Sequence, residues 1–185
     1  MSRATFIVQH RFAPADRLFF DTNIWLALYD CRSDPHKQGN VESLKIYGGA
    51  VRRARQAQSA IFTHPFVVSE FVNRLLRDEH RFLRELSSAD RDFKTWRRSG
   101  DYQRFAAQVA QSAREFLNFC NVIEDNFDKS ALLSRLQNFE DDARDLNDEF
   151  LLEICARHGL VLVTHDGDFQ HSDISLLTAN KTYLK

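Results

Sequence analysis

Short apolar runs alternate with longer stretches of helical periodicity along most of this sequence. The clearest run spans residues 160–164, similar runs occupy residues 17–21 and 60–63, and weaker ones follow at 121–124 and 174–177. Short apolar runs of this kind are typical of buried strands. Because parallel strands are joined by helical crossovers, the alternation predicts an α/β fold. We expect a mainly parallel sheet of four or five strands, covered by helices on both faces.

Length and composition predict one domain over residues 1–185. The chain is 43% hydrophobic and 28% charged, and it has no apolar leader and no stretch long enough to cross a membrane, so we expect a cytoplasmic protein. Cys31, Cys120 and Cys155 show no CxxC spacing, which argues against a disulfide framework and a structural zinc site. The net charge of −1 neither supports nor excludes a nucleic-acid partner.

Three further segments have distinct patterns. Residues 1–16 form a polar lead-in, and residues 31–40 are predicted to be a loop. Residues 80–119 contain helical patterns and no strand signal, so we predict a helical hairpin inserted there, with a break at residues 99–101. A helix is also predicted over residues 145–158, with Gly159 as its C-terminal cap.

Four acidic residues, Asp21, Glu70, Asp148 and Asp166, stand where a predicted strand ends or the next helix begins. In a parallel sheet the strands point their carboxyl ends toward one edge, and the following helices start there. The helix of Asp148 runs away from that edge, and the strand at 160–164 returns to it and delivers Asp166. The topology therefore predicts that the four carboxylates meet.

Neighbouring carboxylates repel and raise one another's pKa unless a cation is present. Oxygen ligands suit hard cations, Mg²⁺ or Mn²⁺, and the sequence leaves open whether one or two ions bind. A metal held by carboxylates with open water positions is the usual apparatus for hydrolysing phosphodiester bonds. The competing interpretation is that each acid only caps or stabilises a helix, which explains any one of them more easily than four at one edge.

At these residues the sequence resembles the PIN-domain ribonucleases, including the toxins of type II toxin–antitoxin pairs. F-D-T-N at residues 20–23 is similar to the opening motif of the family, and S-E at residues 69–70 is similar to its second motif. D-L-N-D at residues 145–148 and G-L-V-L-V-T-H-D-G-D-F at residues 159–169 are similar to the third and fourth motifs. The last block is the most specific of the four.

The resemblance covers roughly residues 17–79 and 120–178 and implies a three-layer αβα sandwich. It implies an endoribonuclease, dependent on Mg²⁺ or Mn²⁺, that hydrolyses single-stranded RNA. The catalytic and metal-binding residues would be Asp21, Glu70, Asp148 and Asp166, and the supporting residues would be Asn23, Thr164 and Asp168. Asp145 is expected to be a helix cap.

Partner surfaces are less clearly encoded. Arg52, Arg53, Arg74 and Arg77 are candidate RNA-binding residues, but a solvated helix face with intrahelical ion pairs is the favoured interpretation. The apolar stripe Phe105, Val109, Ala113 and Phe116 is expected to pack internally, with an antitoxin or a second copy of the chain as alternative occupants. His165 is expected to be a surface turn residue.

Two other functions compete with ribonuclease activity. A haloacid-dehalogenase-type phosphatase also places an Asp after its first strand, but it needs a second Asp two residues later, where this chain has Asn23. A non-catalytic PIN-like module that binds RNA or protein is the other alternative. Such modules often lose acids, whereas all four are present here.

Overall fold

The computed structural model of the protein describes residues 3–30, 41–87, 92–125, 127–141, 145–170 and 172–184. The predicted loop at residues 31–40, with Cys31, lies outside the described residues. The strands are β1 (Arg3–Phe6), β2 (Arg17–Phe20), β3 (Ala60–Thr63), β4 (Asn121–Val122), β5 (Val161–Val163) and β6 (Ser175–Thr178). The helices are α1 (Thr22–Tyr29), α2 (Val41–Gln56), α3 (Pro65–Ser87), α4 (Phe93–Trp96), α5 (Gly100–Leu117), α6 (Lys129–Asp141) and α7 (Leu146–His158), followed by a 3₁₀ helix (Lys181–Leu184).

The strands form one sheet in the order β1-β6-β5-β2-β3-β4, and all neighbouring pairs are parallel. The predicted α/β class and parallel sheet are therefore confirmed. The sheet has one strand more than the four or five expected, because the lead-in contributes β1, which pairs with β6 from Arg3 opposite Ser175. At the other edge, β4 is only two residues long, shorter than the run predicted at 121–124.

The centre of the sheet is buried on both faces. In β2, Leu18, Phe19 and Phe20 are all inaccessible to solvent, and in β5 the same holds for Leu162 and Val163. Continuous rather than alternating burial is the expected pattern for a strand covered by helices on both sides. The two central strands thus hold the residues that follow them in fixed positions.

The predicted helical hairpin is present, although its first arm is the distal part of the continuous 23-residue helix α3. Helix α5 packs against α3, and Ser99 caps its start by accepting a hydrogen bond from the Tyr102 N–H at 3.2 Å. The apolar stripe of α5 is buried, as expected. At its C-terminal end, Phe116 stacks on Trp25 of α1 with ring centroids 4.6 Å apart and meets Phe71 of α3 edge to face.

Helix α7 ends as predicted at Gly159, which adopts a left-handed conformation with φ of 60°. The N–H of Leu160 then reaches back to the carbonyl of Cys155 at 2.8 Å, and the chain enters β5. This turn returns the chain to the sheet after α7. None of the described helices combines the length and apolar character that spanning a membrane requires.

The left-handed turn gives a stability prediction with an internal control. A Cβ added at Gly159 would meet no atom within 4 Å, so Gly159→Ala changes only the backbone preference and should lower the free energy of unfolding by about 1 kcal/mol. Gly49→Ala, which is equally free of contacts but lies inside α2, should raise it by up to about 1 kcal/mol. Urea unfolding of both variants measures the difference. Equal effects of the two substitutions would contradict the assigned role of Gly159.

Candidate active site

Asp21 lies at the carboxyl end of β2, where the chain turns into α1. It occupies the N-cap position, but its side chain makes no capping hydrogen bond. The residue is 6% exposed, and its Oδ2 accepts hydrogen bonds from Asn23 Nδ2 at 2.5 Å and from Thr164 Oγ1 at 2.7 Å. Helix capping therefore does not explain the acid, and two hydrogen bonds fix the orientation of its carboxylate.

Thr164 follows β5 directly and is completely buried. Besides donating to Asp21, its hydroxyl accepts hydrogen bonds from the Asn23 amide at 3.1 Å and from the Asp166 N–H at 3.0 Å. Asn23 also accepts a hydrogen bond from the His165 N–H at 3.3 Å. The contacts expected of Asn23 and Thr164 are thus present, and their supporting role in a reaction stays a prediction.

Asp148 lies in the first turn of α7, whose start is capped by Asp145 through a hydrogen bond from the Asn147 N–H at 2.9 Å. The capping role predicted for Asp145 is confirmed, which leaves Asp148 without that explanation. Burial raises the pKa of Asp148 to about 7, and repulsion from Asp21 and Asp166 contributes further. The carboxylate therefore interacts electrostatically with Asp21 and Asp166.

The pKa of Asp21 is also raised, to about 6. Burial is the main cause, the hydrogen bond from Thr164 opposes it, and repulsion from Glu70 and Asp166 adds to it. A carboxyl group that ionises near neutrality instead of near 4 is a group whose charge the surroundings do not offset. In the metal-free protein, these pKa values indicate that charge at this edge costs free energy.

Glu70 lies on α3, one turn after its start. Its Oε2 accepts a hydrogen bond from Thr22 Oγ1 at 2.9 Å, and its Oε1 lies 3.7 Å from Arg74 Nη1. Asp168 is exposed, and its N–H donates to Asp166 Oδ1 at 3.1 Å. Each of the predicted acids therefore lies at the same edge of the sheet, linked to Asp21 or Asp148 by repulsion.

The donor chemistry of this edge fits a hard divalent cation. The oxygens come from carboxylates that repel one another, and both Asp21 and Asp148 have raised pKa values. Among the described residues, however, no three His, Cys, Asp or Glu side chains are arranged to hold a metal ion. Mg²⁺ commonly uses one or two carboxylates and completes its shell with water and substrate phosphate oxygens. An open site of that kind fits these side chains, whereas a closed protein cage does not.

The four candidate RNA-binding arginines differ in their surroundings. Arg53 donates to the carbonyl oxygens of Ile7 and Val8 at 3.0 and 3.2 Å and lies over the ring of Phe12, so it ties the N-terminal segment to α2. Arg74 faces Glu70 of its own helix, as the ion-pair interpretation expects. Arg52 and Arg77 are exposed.

Sequence reasoning missed two residues that support the loop after β5. Tyr47 of α2 is fully buried, and its hydroxyl accepts a hydrogen bond from the Ala179 N–H at 2.9 Å and lies 2.8 Å from His165 Nδ1. The Tyr183 hydroxyl donates to the backbone carbonyl of Asp166 at 2.5 Å. Both contacts join parts of the chain that are far apart in the sequence, so no local pattern indicates them.

Comparison with known proteins identifies the family. The family model of the PIN domain matches residues 18–174. This range covers most of the chain and contains all four acids. The chain belongs to the PIN-domain family. PIN domains have a three-layer αβα fold and are generally metal-dependent nucleases. No curated protein and no solved structure gives a significant match.

The raised pKa values of the acids predict an unusual pH dependence of stability in EDTA. A carboxyl group whose pKa is higher in the folded state contributes stability that is complete below pH 3.8 and is lost as the pH rises through about 6 for Asp21 and about 7 for Asp148. Asp21→Asn should therefore be more stable than the unsubstituted protein by about 3 kcal/mol at pH 8 and by only about half of that at pH 5. Urea unfolding at both pH values measures this.

The exposed Asp101 of α5 supplies the matched control, because Asp101→Asn removes a carboxylate that pairs with Arg104 at the surface. Its effect should be small and should not change in sign or size between pH 5 and pH 8. A destabilised Asp21→Asn at pH 8 would show that the carboxylate is stabilised by its surroundings, contrary to the raised pKa.

Proposed function

We propose that the protein is a metal-dependent endoribonuclease that hydrolyses phosphodiester bonds of single-stranded RNA. The observation that carries the proposal is the group of Asp21, Asp148 and Asp166 at one sheet edge, with Glu70 beside them. Family membership supports a metal-dependent nuclease, and the resemblance of the motifs to PIN-domain ribonucleases supports RNA as the substrate.

The residues would divide the work as follows. One or two of the carboxylates of Asp21, Asp148 and Asp166 would contact Mg²⁺ or Mn²⁺ directly, and the rest of this group would bind the water of its shell. Glu70 would be a further ligand or a residue that orients water. When bound, the ion lowers the pKa of water and offsets negative charge on the reacting phosphate. Thr164 and Asn23 hold the Asp21 carboxylate in one orientation. Asp168 donates its N–H to Asp166 and so restrains that side chain.

Cleavage assays with matched variants test the proposal. Asp21→Asn, Asp148→Asn and Asp166→Asn should each lower the Mn²⁺-dependent rate at least about 100-fold, which corresponds to about 2.7 kcal/mol of transition-state stabilisation. Asp101→Asn should retain the full rate. A circular single-stranded RNA should be opened, because an endonuclease needs no free end, and EDTA should abolish the reaction.

Full activity in the three variants would contradict the assigned site. Metal titration separates the enzyme from a non-catalytic binding module, because an ion that binds only the folded protein raises its melting temperature. Mn²⁺ should raise the melting temperature of the unsubstituted protein and of Asp101→Asn more than that of Asp148→Asn. RNA binding without cleavage, together with no metal-dependent shift, would identify a binding module instead.

A narrower proposal is that the chain is the toxin of a toxin–antitoxin pair. The resemblance of the motifs supports it, and α6 offers a surface for a protein partner, either an antitoxin or a second copy of the chain. Leu132, Leu133, Leu136 and Phe139 lie along one side of α6, and all four are exposed. Such a row of apolar side chains is a common site of protein contact.

Inducible expression in a bacterial host tests the toxin proposal. Expression of the unsubstituted chain should stop growth, and Asp21→Asn, produced to the same level, should not. The gene next to it should encode a small protein whose co-expression restores growth. Normal growth at high levels of active enzyme would contradict the toxin role and leave the ribonuclease proposal intact.

A further inference from the structure

A cavity of about 260 Å³ lies beside the acidic edge. Its walls come from the carboxyl ends of three neighbouring strands and from α2. Phe6 ends β1, His165 follows β5 and Ala179 follows β6. Ile46 contributes the wall from α2. In open parallel sheets, ligands bind in the crevice outside the carboxyl ends of the strands. The cavity is therefore in the usual place for a ligand, next to the residues proposed to hold the metal.

His165 connects the cavity to the acidic edge, because its neighbours in the sequence are Thr164 and Asp166. Three hydrogen bonds hold it: its N–H donates to Asn23, its carbonyl accepts from Asn180 Nδ2 at 2.8 Å, and its Nδ1 lies 2.8 Å from the Tyr47 hydroxyl. The imidazole stands edge-on to the buried Tyr47 ring, at 89°. The position of this wall is thus fixed relative to Asp166.

The size and lining of the cavity fit one flat heterocycle. Pockets for drug-sized ligands usually enclose about 300–1,000 Å³, and this cavity is smaller. Phe6 and His165 offer rings on which a base can stack, and Ile46 and Ala179 supply apolar surface. A stacked base contributes about 1–3 kcal/mol to single-strand binding.

Two charged side chains of opposite sign also line the cavity. The carboxylate of Glu42 can only accept hydrogen bonds, and the ammonium of Lys181 can only donate them. Guanine matches this pair best, because its Watson–Crick edge places two neighbouring N–H donors beside a carbonyl acceptor. Adenine and cytosine each offer one amino group in that position, and uracil offers one N–H between two carbonyl groups.

We propose that this cavity binds one unpaired base of the RNA substrate next to the phosphate that is cut, with guanine preferred. This inference rests on the proposed ribonuclease function. It assigns Phe6, Ile46 and His165 to stacking and packing against the base. It assigns Glu42 and Lys181 to hydrogen bonds with the Watson–Crick edge of the base. The rigid connection through His165 sets a constant separation between the bound base and the acids, so the bases at other positions of the RNA should matter less.

Abasic substitution locates the base. RNA strands with one cleavage site are made with an abasic nucleotide at each position in turn, and single-turnover rates are measured with Mn²⁺. One position should lower the rate about 10-fold or more, and at that position guanine should be cut faster than adenine, cytosine or uracil. Equal rates at all abasic positions, or no preference for guanine there, would overturn the proposal.

Variants then connect that position to the cavity. Ile46→Trp fills the cavity and should reduce the cost of the abasic nucleotide to less than about twofold, whereas Leu86→Trp, which adds the same ring at an exposed site of α3, should leave it unchanged. Ile46 is half-buried, so a Trp at this position can disturb folding. The exposed Glu42 therefore supplies a second variant, Glu42→Gln. It should remove most of the preference for guanine, and Glu85→Gln should keep it.

Binding of mononucleotides separates this inference from the proposed function. Guanosine 5′-monophosphate should shift the methyl NMR resonances of Ile46 and Ala179 at lower concentrations than the adenosine, cytidine and uridine monophosphates, and Glu42→Gln should weaken the shift. If no RNA is cut but these shifts occur, the ribonuclease proposal fails and the base site stands. If RNA is cut but the rate shows no base dependence, or RNA is cut but the monophosphates cause no shift, the base site fails and the ribonuclease proposal stands.

Discussion

The hydroxyl group of Thr164 is the contact on which the candidate site depends. It has one proton and two lone pairs, and all three are used: it donates to Asp21 and accepts from the Asn23 amide and the Asp166 N–H. Thr164 follows β5 and Asp21 follows β2, and these two strands are paired at the centre of the sheet. One buried group therefore sets the relative positions of two acids that are far apart in the sequence, and the register of the central strands sets the position of that group.

Some acidic residues away from this edge are paired with arginines. Arg135 contacts Glu149 and Glu153 at 3.3 and 2.6 Å and so joins α6 to α7, and Arg157 contacts Asp125 at 2.8 Å. At the acidic edge, the cation that the described residues bring within salt-bridge distance of the four predicted acids is Arg74, which lies 3.7 Å from Glu70. Asp21 and Asp148 instead have raised pKa values. Among the described residues, the charges of Asp21 and Asp148 thus have no protein counter-ion within salt-bridge distance, which costs stability and suits a site that takes its cation from solution.

The sequence was sufficient for the features that depend on local pattern. The apolar run ending at Thr164, the cap at Gly159 and the start of α7 at Asp145 are each specified by residues within one or two turns. Strand β1 was missed because Arg3–Phe6 has no apolar run, and only pairing with β6 makes it a strand. Similarly, the sequence favours a solvated helix face for Arg53, with an RNA contact as the alternative, but its partners are carbonyl groups of the N-terminal segment. Contacts between distant segments leave no periodicity from which they could be read.

His165 shows how such a contact changes the interpretation of a residue. In the sequence it is a polar residue in a turn, and its exposed position agrees with that. The buried hydroxyl of Tyr47 and the amide of Asn180 hold it, so the loop from Thr164 to Asp166 is restrained on both its acidic side and its cavity side. On the proposals above, base recognition and phosphate chemistry are then separated by a short, rigid segment. Binding energy gained in the cavity would position the phosphate, and its loss would appear in the rate of the chemical step as well as in affinity.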